Sequence, residues 1–577
     1  MNLVLKVRQL VDRYPVTLKL RQNAVVDAFW PRYVVWENRR KYRAALARLR
    51  STETRRAPEC RQIPGLLSFV STVWNTDPEF LGILAESVCA QAGGTHFEWL
   101  VLDNGTTNVE TRWLLAELGR LPFVRLGRVE QNLGIIGGMR WCLEHATGRY
   151  IMPLDSDDYL SSDCVLRVTE AILANEYPPL LYTDEDKLLG DHLQDAYHKP
   201  RWDPVLFSDS AYIAHLGVIE RAFALELEAY TDPGTEGSHD WDTFTRFVNA
   251  GVEPVHVPHV VYSWRMHSMS TSAAIHSKPY VFDSQKNVLT RFLQGVVRPE
   301  RFWLDKSPLF ANTPDWCFRT TRGDPPAMQV VHVGNAARAL PDTAGFPARS
   351  VGRVGEDAPV ESLRDLLGAG EPEELVCLAW DQLSHDRNDW AWDAFTYLEC
   401  FGDAVALGGP VYGADGRALC AGIVFGFGRG IDSPDRGRPR GDPGFFAQMW
   451  KHRSVAALTS QNLVLRRGFL ASVLAHPKNA GFTVRMLGPV AGALAWQAGK
   501  RFIYSPFMSA TAASDWEAGI PQADVERFLQ AFGDVVPDNR FYSPKFSLAT
   551  GQGYQVAGEA ERQAHLARIR GRLAAAA

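Results

Sequence analysis

The stretch from residue 132 to residue 160, NLGIIGGMRWCLEHATGRYIMPLDSDDYL, decides the fold. It contains a glycine-rich turn, a segment with helical periodicity and the apolar run YIMPL, which leads directly into Asp155, Asp157 and Asp158. A helix followed by a short apolar strand is one repeat of a parallel α/β sheet. Ligands of open α/β sheets bind at the carboxyl ends of the strands. We therefore expect a functional site where this strand ends.

The same alternation continues on both sides of this stretch. Upstream, the strand-like segments GLLSFVSTVW and FEWLVLDNG alternate with the helical segments PEFLGILAESVCAQ and VETRWLLAELG. Downstream, the strands PLLYTDED and VEPVHVPHVVYSWR flank a helix that begins within GSHDWDTFTRFV, and the helix KPYVFDSQKNVLTRFLQGV closes the unit. This order predicts one α/β domain with a mostly parallel central sheet at residues 64–296.

The length and composition of the chain require more than one domain. Its 577 residues are too many for a single hydrophobic core, and the 46% hydrophobic and 22% charged composition is that of a globular protein. We predict a linker at residues 297–326, a second α/β domain at residues 327–555 and a C-terminal helix at residues 556–577.

Residues 1–60 differ from the rest of the chain in charge. They carry 14 Lys and Arg against 5 Asp and Glu, although the whole chain has a net charge of −5. Two amphipathic helical stretches are predicted within them. A basic amphipathic segment of this kind is typical of binding to anionic lipid, so we predict a peripheral position on the inner face of the cell membrane. The alternative is that these helices pack on the acidic domains.

Other features of the composition predict a cytoplasmic protein without nucleic-acid partners. The eight cysteines form no CxxC pair, and no run of about 18 apolar residues is present. The opening sequence MNLVLKVRQLVDRYP is interrupted by charges and proline before a signal-peptide core could form. Nothing outside the basic segment suggests base recognition.

The acidic cluster suits a site for a diphosphate and a metal ion. Alternate side chains of a strand share a face, so Asp155 and Asp157 should point together while Asp158 points away. Mg²⁺ or Mn²⁺ is typically held by one or two carboxylates together with substrate phosphates. The spacing predicts a ribose contact at Asp155 and a metal contact at Asp157. The alternative is a simple turn with a helix cap, for which Asp and Ser are also common.

In combination, these motifs resemble bacterial family 2 glycosyltransferases of the GT-A fold, the Rossmann-like α/β fold of nucleotide-diphospho-sugar transferases. The Asn-x-Gly loop, helix and Gly-Arg-Tyr-Ile strand before DSDD follow the family pattern. The segment STVWNTDPEFLGILAESVCAQ resembles the family's opening strand and helix, with Thr72 where proline is usual. YTDEDKL, HKPRWDPVLFSDSAYIAHLGVIER and VVYSWRMHSMSTS resemble the rhamnosyltransferase-like branch of O-antigen and capsule assembly.

The resemblance assigns donor contacts to residues outside the acidic cluster. Asn75 and Asp103 end the first two strands, where the family contacts the nucleobase or ribose. Arg265 follows the last strand, and arginine is suited to phosphate oxygens. His267, two residues later, is a candidate metal contact, and Lys199 is a further phosphate candidate.

The resemblance also predicts the catalytic base. Inverting transfer needs a carboxylate that accepts the proton of the acceptor hydroxyl. In TEGSHDWDTFTRF, Asp240 has the position of the family's base, with His239 where Glu or Gln is commoner. A helix start also favours an ionised carboxylate. We interpret Asp242 as a residue that merely complements the helix dipole.

The C-terminal region resembles a degenerate second copy of the fold. ELVCLAWDQLSHDRNDWAWDAF lies where related chains have a strand ending in Asp-Asp, and ALGGPVYGADGRALCAGIVFGFG matches their turns. Only Asp381 remains of the acidic cluster, and the front of the domain is shortened. Because paired carboxylates are missing, we predict a structural or acceptor-binding role.

The resemblance implies an inverting, metal-dependent glycosyltransferase. It would move a sugar from a nucleotide-diphospho-sugar donor to a lipid-linked or oligosaccharide acceptor during bacterial surface polysaccharide biosynthesis. The alternative is a non-catalytic scaffold that binds sugar nucleotides or glycans in a polysaccharide assembly complex. Nucleotidyl transfer shares the fold, but it usually starts with a Gly-rich basic loop that FVSTVWNTDP does not contain.

Overall fold

The computed structural model describes residues 63–91, 96–190, 192–266, 280–309, 315–321, 323, 325–336, 339–368, 370–536, 538–549 and 553–557. The predicted basic segment at residues 1–60 and the predicted metal contact His267 lie outside these residues. So does all of the predicted C-terminal helix from residue 558 onward. No helix in the described ranges has both the length and the apolar character needed to cross a bilayer.

The first half of the described chain is built on a nine-stranded sheet. Its strands are β1 (Leu67–Val73), β2 (Phe97–Asn104), β3 (Val124–Val129), β4 (Tyr150–Pro153), β5 (Tyr159–Leu160), β6 (Leu180–Leu189), β7 (His192–Tyr197), β8 (Gly217–Glu220) and β9 (Val255–Arg265). The helices between them are α1 (Pro78–Cys89), α2 (Val109–Leu118), α3 (Gly134–His145), α4 (Cys164–Ala174), α5 (Pro204–Asp209), α6 (Arg221–Glu226) and α7 (His239–Asn249), and α8 (Tyr280–Gln294) follows the sheet.

The strand order of this sheet creates a crevice beside β1. The order is β3-β2-β1-β4-β8-β6-β9-β5, with β7 paired to β6. Strands β3, β2, β1 and β4 are parallel, β8 is antiparallel to both β4 and β6, and β6 is parallel to β9. The chain leaves β1 toward β2 on one side and later returns to β4 on the other. Side chains that follow β1, β2 and β4 therefore meet at one edge.

The glycine-rich segment that the sequence indicates as a turn is the start of a helix instead. Helix α3 begins at Gly134, so Gly137 and Gly138 lie within its first turns. A Cβ atom on Gly138 would lie 2.8 Å from Thr72 Cγ2 and 3.0 Å from Asn104 Nδ2. The glycine therefore lets the first turns of α3 approach β1 and β2 more closely than a larger residue could. Close packing of the helix, rather than a bend in the chain, explains the glycine.

A strand pair occupies the region predicted as a linker. Strands β10 (Phe302–Lys306) and β11 (Trp316–Thr320) pair in antiparallel fashion. Phe318 of β11 stacks on Phe292 of α8, with 5.9 Å between the ring centroids. It also stacks on Tyr397 of the second half at 5.8 Å. The connection is thus part of a hydrophobic core that residues of both halves share.

The second half contains a seven-stranded sheet and two small sheets. Its strands are β12 (Met328–Val333), β13 (Ala348–Val354), β14 (Leu375–Trp380), β15 (Leu383–His385), β16 (Ala404–Gly408), β17 (Val411–Tyr412), β18 (Ala418–Cys420), β19 (Val424–Phe425), β20 (Ile431–Asp432), β21 (Arg453–Val455), β22 (Val464–Arg466), β23 (Arg501–Tyr504) and β24 (Ala510–Ala512). Its helices are α9 (Leu363–Leu367), α10 (Trp390–Cys400), α11 (Arg467–Ala475), α12 (Leu487–Gln497) and α13 (Gln522–Phe532).

The seven-stranded sheet repeats the pairing pattern of the first sheet. Its order is β13-β12-β14-β22-β16-β23-β21. Strand β12 is parallel to β13 and β14, β22 is antiparallel to β14 and β16, and β16 is parallel to β23. These relations match those of β1 with β2 and β4, of β8 with β4 and β6, and of β6 with β9. Among the described strands, β3 has no counterpart, so β13 is outermost.

Buried hydrogen bonds join the two halves at α5. Asp203, which caps this helix, accepts hydrogen bonds from Ser454 N at 2.7 Å and Ser454 Oγ at 2.6 Å. Asp209, at the other end of α5, accepts from His452 N at 2.7 Å and His452 Nδ1 at 2.9 Å. Because the donors belong to the second half, this half holds a segment of the first in place.

Candidate active site

The acidic turn after β4 presents its carboxylates differently. Asp158 is 1% exposed and accepts hydrogen bonds from the Tyr262 hydroxyl and, at 2.7 Å, from Arg265 N. The carboxylate of Asp158 thus fixes the turn to β9. The side chain of Asp155, by contrast, is 55% exposed in the crevice beside β1. Asp157 is partly buried between them. The turn therefore offers Asp155 and Asp157, and not Asp158, to a ligand.

The carboxylates of Asp157 and Asp240 both affect the ionisation of Asp155. The pKa of Asp155 is raised, first by the protein packed around its partly exposed side chain and further by the negative charges of Asp157 and Asp240. His215 opposes this rise. The electrostatic effect of Asp240 indicates that the start of α7 faces the acidic turn, although more than 80 residues separate them in sequence. The two predicted parts of the site are therefore close enough for their charges to interact, and we name the region between them the cleft.

Asp240 is the second residue of α7, close to the positive end of the helix dipole. His239 Nε2 lies 3.5 Å from Asp240 Oδ1, and their side chains are 18% and 29% exposed. The other ring nitrogen, His239 Nδ1, is buried and has no hydrogen-bond partner among the described residues. This pair places a carboxylate at the cleft with an imidazole beside it.

His215 is a site residue that sequence reasoning missed. Its Nε2 lies 4.0 Å from Asp155 Oδ2, and its Nδ1 lies 3.5 Å from Glu185 Oε2. The ring stacks against those of Tyr262 and Trp264, with centroids 5.3 and 5.7 Å apart. Burial lowers the pKa of His215, but Glu185 and Asp155 outweigh this effect and raise it to about 9. A cationic imidazole therefore faces the acidic turn at neutral pH.

No local signal marks His215 in the sequence. The residue lies in AYIAHLGVIE, part of a longer stretch that resembles the rhamnosyltransferase-like branch, but that resemblance assigned no role to the histidine. Glu185 lies in β6, and Tyr262 and Trp264 lie in β9; the pairing of β6 with both β8 and β9 brings these groups together. The cluster depends on these long-range pairings, so a motif within the chain could not predict it.

Lys199 does not have the environment predicted for a phosphate contact. Its side chain is 0% exposed, and Nζ donates to Ala214 O at 2.6 Å, His215 O at 2.7 Å and Glu185 Oε2 at 3.2 Å. All three hydrogens of the ammonium group are therefore used. Burial lowers the pKa of Lys199, and Glu185 opposes this effect. In this geometry Lys199 holds the backbone at His215 and has no hydrogen left for a donor phosphate.

Asn75 and Asp103 connect the loops that follow β1 and β2. Asn75 Oδ1 accepts hydrogen bonds from Thr107 N and Asn108 N, both at 2.9 Å. Asp103 Oδ1 accepts from Thr106 N at 2.9 Å, and Oδ2 lies 2.6 Å from Arg128 Nη1. Both predicted donor contacts thus lie at the expected edge of the sheet, where they fix the two loops. Their contact with a nucleotide stays a prediction.

Arg265 lies against the acidic turn. Its N donates to Asp158, its Nε donates to the main-chain oxygen of Asp157, and its guanidinium lies 4.7 Å from the centre of the Phe80 ring. Arg265 is 3% exposed, and its contact with a donor phosphate stays a prediction.

Asp155 and Asp157 have the donor chemistry of a partial metal site. Within the described ranges, no group of three or more His, Cys, Asp or Glu side chains is arranged to hold a metal ion. Mg²⁺ is commonly bound by one or two carboxylates plus substrate phosphates, which requires no such group. The repulsion that raises the pKa of Asp155 is the kind of interaction that a bound cation would relieve. The pair therefore fits a cation that arrives with a diphosphate.

Comparison with known proteins identifies the class of domain that carries this cleft. The family described as Glycosyl transferase family 2 matches residues 68–203, which contain β1, β2, β4 and the acidic turn. Residues 68–203 therefore resemble a family 2 glycosyltransferase domain, and the predicted GT-A fold is confirmed. The match ends before Asp240 and includes none of the second half.

Two curated proteins are similar to longer stretches of the chain than the family match covers, with sequence identities of 29% and 26%. The uncharacterized protein y4gI of Sinorhizobium fredii is 29% identical over 469 residues, which cover 75% of this chain and 51% of that protein. The O-antigen biosynthesis protein RfbC of Myxococcus xanthus is 26% identical over 230 residues, covering 40% of this chain and 18% of that protein. The chain thus spans about half the length of the first relative and less of the second.

Solved structures also resemble part of the chain. The crystal structure of S. aureus TarS 1-349 in complex with UDP-GlcNAc is 15% identical and covers 40% of this chain and 67% of that chain, with a TM-score of 0.34.

Proposed function

We propose that the chain is an inverting, metal-dependent glycosyltransferase. It moves a sugar from a nucleotide-diphospho-sugar to an acceptor glycan during bacterial surface polysaccharide biosynthesis. The observation that carries this proposal is the electrostatic proximity of Asp240 to Asp155, which lies in the segment that matches family 2. The similarity to the O-antigen biosynthesis protein RfbC supports the pathway, and the acceptor is a lipid-linked or free oligosaccharide.

The donor occupies the crevice beside β1. Its nucleoside lies against the loops that Asn75 and Asp103 fix, and Asp155 accepts a hydrogen bond from the ribose. Arg265 donates to the diphosphate, for which its planar guanidinium is suited. Mg²⁺ or Mn²⁺, held by Asp157 and the diphosphate, neutralises charge on the leaving group when bound. His267 is a further candidate metal contact.

Asp240 acts as the general base. Its carboxylate takes the proton of the acceptor hydroxyl as that oxygen bonds to the sugar's anomeric carbon. The bond from this carbon to the diphosphate oxygen breaks, and the electron pair leaves with the nucleoside diphosphate. Attack from the opposite face inverts the anomeric configuration. His239 holds the carboxylate of Asp240 in orientation, since its Nε2 lies 3.5 Å away.

His215 stabilises the donor in this scheme. Its position 4.0 Å from Asp155 and its pKa of about 9 present a positive charge where the ribose and diphosphate bind. Glu185 and Lys199 fix the ring and the backbone of His215, and they have no direct contact with the donor. A neutral replacement should therefore weaken donor binding.

We infer that the second half is a degenerate GT-A-like domain. The repeated strand pairing supports this interpretation. Asp381, the remaining acid of the cluster, lies 3.1 Å from Arg353 Nη1 and accepts from Ala336 N at 2.5 Å. Since its carboxylate is engaged in this way, we propose that this half does not bind a metal-diphosphate.

Nucleoside diphosphate release from a panel of sugar nucleotides, with Mg²⁺ or Mn²⁺ and with acceptor oligosaccharides, tests the proposal. The wild type should turn over one donor, Asp157→Ala should abolish metal-dependent turnover, and Asp240→Asn should lower kcat by about 10² to 10⁴ with little change in donor affinity. Asp381→Asn is the matched control and should retain wild-type turnover.

Three results would count against parts of the proposal. Release of no nucleoside diphosphate from any donor would favour the non-catalytic scaffold. Wild-type turnover by Asp157→Ala would remove the metal assignment, and loss of donor binding in Asp240→Asn would indicate a structural role for that residue.

A further inference from the structure

The second half contains two cavities of similar size at opposite edges of its main sheet. One, of about 700 Å³, lies between α11, α12 and the starts of β14 and β16. The other, of about 680 Å³, lies beyond the ends of β12 and β14. Both volumes are within the range of about 300 to 1,000 Å³ that is usual for small-molecule sites. Size alone therefore does not distinguish them.

The position of the second cavity in the fold does distinguish it. The chain leaves β12 toward β13 on one side and returns to β14 on the other, so the strand order reverses between β12 and β14. Ligands of open α/β sheets bind in the crevice at the carboxyl ends of the strands, at such a reversal. The cavity occupies this crevice, and we name it the β12–β14 cavity. In the first half, the equivalent crevice beside β1 contains Asp155.

The lining of the β12–β14 cavity combines a buried apolar floor with an exposed polar rim. The floor includes the indoles of Trp380 and Trp390, whose Nε1 atoms donate to Ser460 O at 2.7 Å and Asp342 O at 3.0 Å. The polar groups of the rim are the exposed residues Asp342, Ser384, Asp386 and Asn388, beside which Leu340 is also exposed. Rigid apolar surface beside hydroxyl, amide and carboxylate groups suits a ligand with both apolar faces and many hydroxyl groups.

The basic group of the cavity lining is already paired, and the carboxylate of Asp342, which accepts from the neutral donors Ala344 N and Asn388 Nδ2, adds negative charge. Arg387, the one arginine or lysine among the described lining residues, donates to Asp389 through Nε at 3.0 Å. Asp386 is paired with Arg440, which also donates to Thr511 Oγ1 at 2.8 Å. No cation in this described lining is thus left for a phosphate, and no pair of carboxylates for a metal.

The two histidines of the lining add no positive charge at neutral pH. Burial lowers the pKa of His385 to about 4, although the hydrogen bond with Asn462 opposes this decrease. Burial also lowers the pKa of His332, and the charge of Arg353 lowers it further. The cavity therefore favours an uncharged ligand over a sugar nucleotide.

We propose that the β12–β14 cavity binds an uncharged segment of the acceptor glycan, while transfer takes place in the cleft of the first half. This inference rests on the proposed function for its biological role. The binding itself does not require turnover. The crevice that holds the donor in the first half would thus hold a hydroxyl-rich acceptor in the second.

Binding of the full-length protein to a printed array of neutral bacterial oligosaccharides tests the proposal. Ser384→Trp fills the cavity from its exposed rim without altering the core, and Asn388→Ala removes an amide that donates to Asp342 Oδ2 at 3.2 Å. Ser350→Trp, at an exposed serine of β13, is the matched control. We expect the wild type and the control to bind the same glycans, Ser384→Trp to bind them at least tenfold more weakly and Asn388→Ala at least threefold.

Kinetics provide a second readout. In the transfer assay, Ser384→Trp should raise the KM for the acceptor at least tenfold and leave donor hydrolysis without acceptor unchanged. Wild-type binding by Ser384→Trp, or no binding of any arrayed glycan by the wild type, would overturn the inference. If the proposed function is wrong but the inference is right, the protein turns over no donor. The array then still shows weaker glycan binding by Ser384→Trp than by the wild type and the control.

Discussion

Asp184 shows how the buried part of the site depends on a single carboxylate. It is 0% exposed and accepts hydrogen bonds from His256 Nε2 at 2.7 Å, Lys199 N at 3.0 Å and His198 Nδ1 at 3.3 Å. Burial alone would raise the pKa of Asp184, but the bonds from His198 and His256 outweigh it and lower the pKa to about 2. The ionised carboxylate thus anchors the segment that contains Lys199, which in turn holds His215.

Asp184→Asn should destabilise the protein in a pH-dependent manner. Because the folded pKa lies below the ordinary value of 3.8, the ionised form stabilises the fold above about pH 4, and this contribution is lost as the pH falls toward 2. We expect a loss of about 2 kcal/mol at pH 7 that becomes smaller below pH 4. Urea denaturation across this pH range measures it. A loss that is the same at pH 7 and pH 3 would contradict the assignment.

At the scale of an element, Asp240 and Asp242 lie in the first turn of α7 and have different roles. Asp242 is 1% exposed, lies 2.8 Å from Arg246 Nε and 2.5 Å from Arg291 Nε, and so joins α7 to α8. Arg291 also lies 2.6 Å from Asp232. The sequence suggested only a dipole partner at this position. The buried ion pairs give Asp242 a larger structural role than a helix start alone requires.

Asp242→Asn should therefore lower stability, whereas Asp240→Asn should lower the rate. Removal of one partner from a buried charge network leaves the arginines uncompensated and typically costs about 3 to 5 kcal/mol. We expect a clear decrease in the melting temperature of Asp242→Asn and little change for Asp240→Asn, whose side chain is 29% exposed. Scanning calorimetry on both variants decides this. Equal melting temperatures would show that the network contributes little.

The sequence predicted the elements better than it predicted the groups that meet between them. Alternating apolar patterns identified β1, β2, β4 and β9, and the acidic turn follows β4 as expected. The environment of Lys199 and the presence of His215 were not predictable, because the pairings of β6 with β8 and with β9 create them. Such pairings join segments that are far apart in the chain and leave no periodic signal.

At the scale of the molecule, the shared core and the bonds at α5 should make the two halves unfold together. Asp203 is 1% exposed and is bonded to Ser454, with Arg501 Nη1 3.6 Å away. Asp203→Ala leaves these groups without their acceptor and should cost about 2 to 4 kcal/mol. We expect one calorimetric transition in the wild type and one, at lower temperature, in the variant.

Asp538→Ala is the control for this experiment. Asp538 also joins the halves, 2.7 Å from Arg201 Nη1, but both side chains are exposed, at 36% and 57%. An exposed pair contributes about 0 to 1 kcal/mol, so the control should melt close to the wild type. Two separate transitions, of which Asp203→Ala moves only one, would show that the halves are independent.

The basic segment at residues 1–60 gives a prediction about localisation. Each Lys or Arg near an anionic surface contributes about 1 kcal/mol, and the segment has 14 of them against 5 acidic residues. The full-length protein should therefore sediment with anionic vesicles at low salt, less so at high salt, and not at all when residues 1–60 are deleted. Neutral vesicles are the control. Equal sedimentation of the truncated protein would exclude this role.

The outermost position of β13 has a consequence for solubility. A strand with a neighbour on one side exposes main-chain N–H and C=O groups that strands of other molecules can pair with. β13 carries exposed Arg349 and Arg353. Its register with β12 also shifts between Val330 and Val331, where Gly352 adopts a φ of +152°. Charge and a local bulge both oppose edge-to-edge pairing. The open edge of the second sheet is thus protected against aggregation without a strand to cover it.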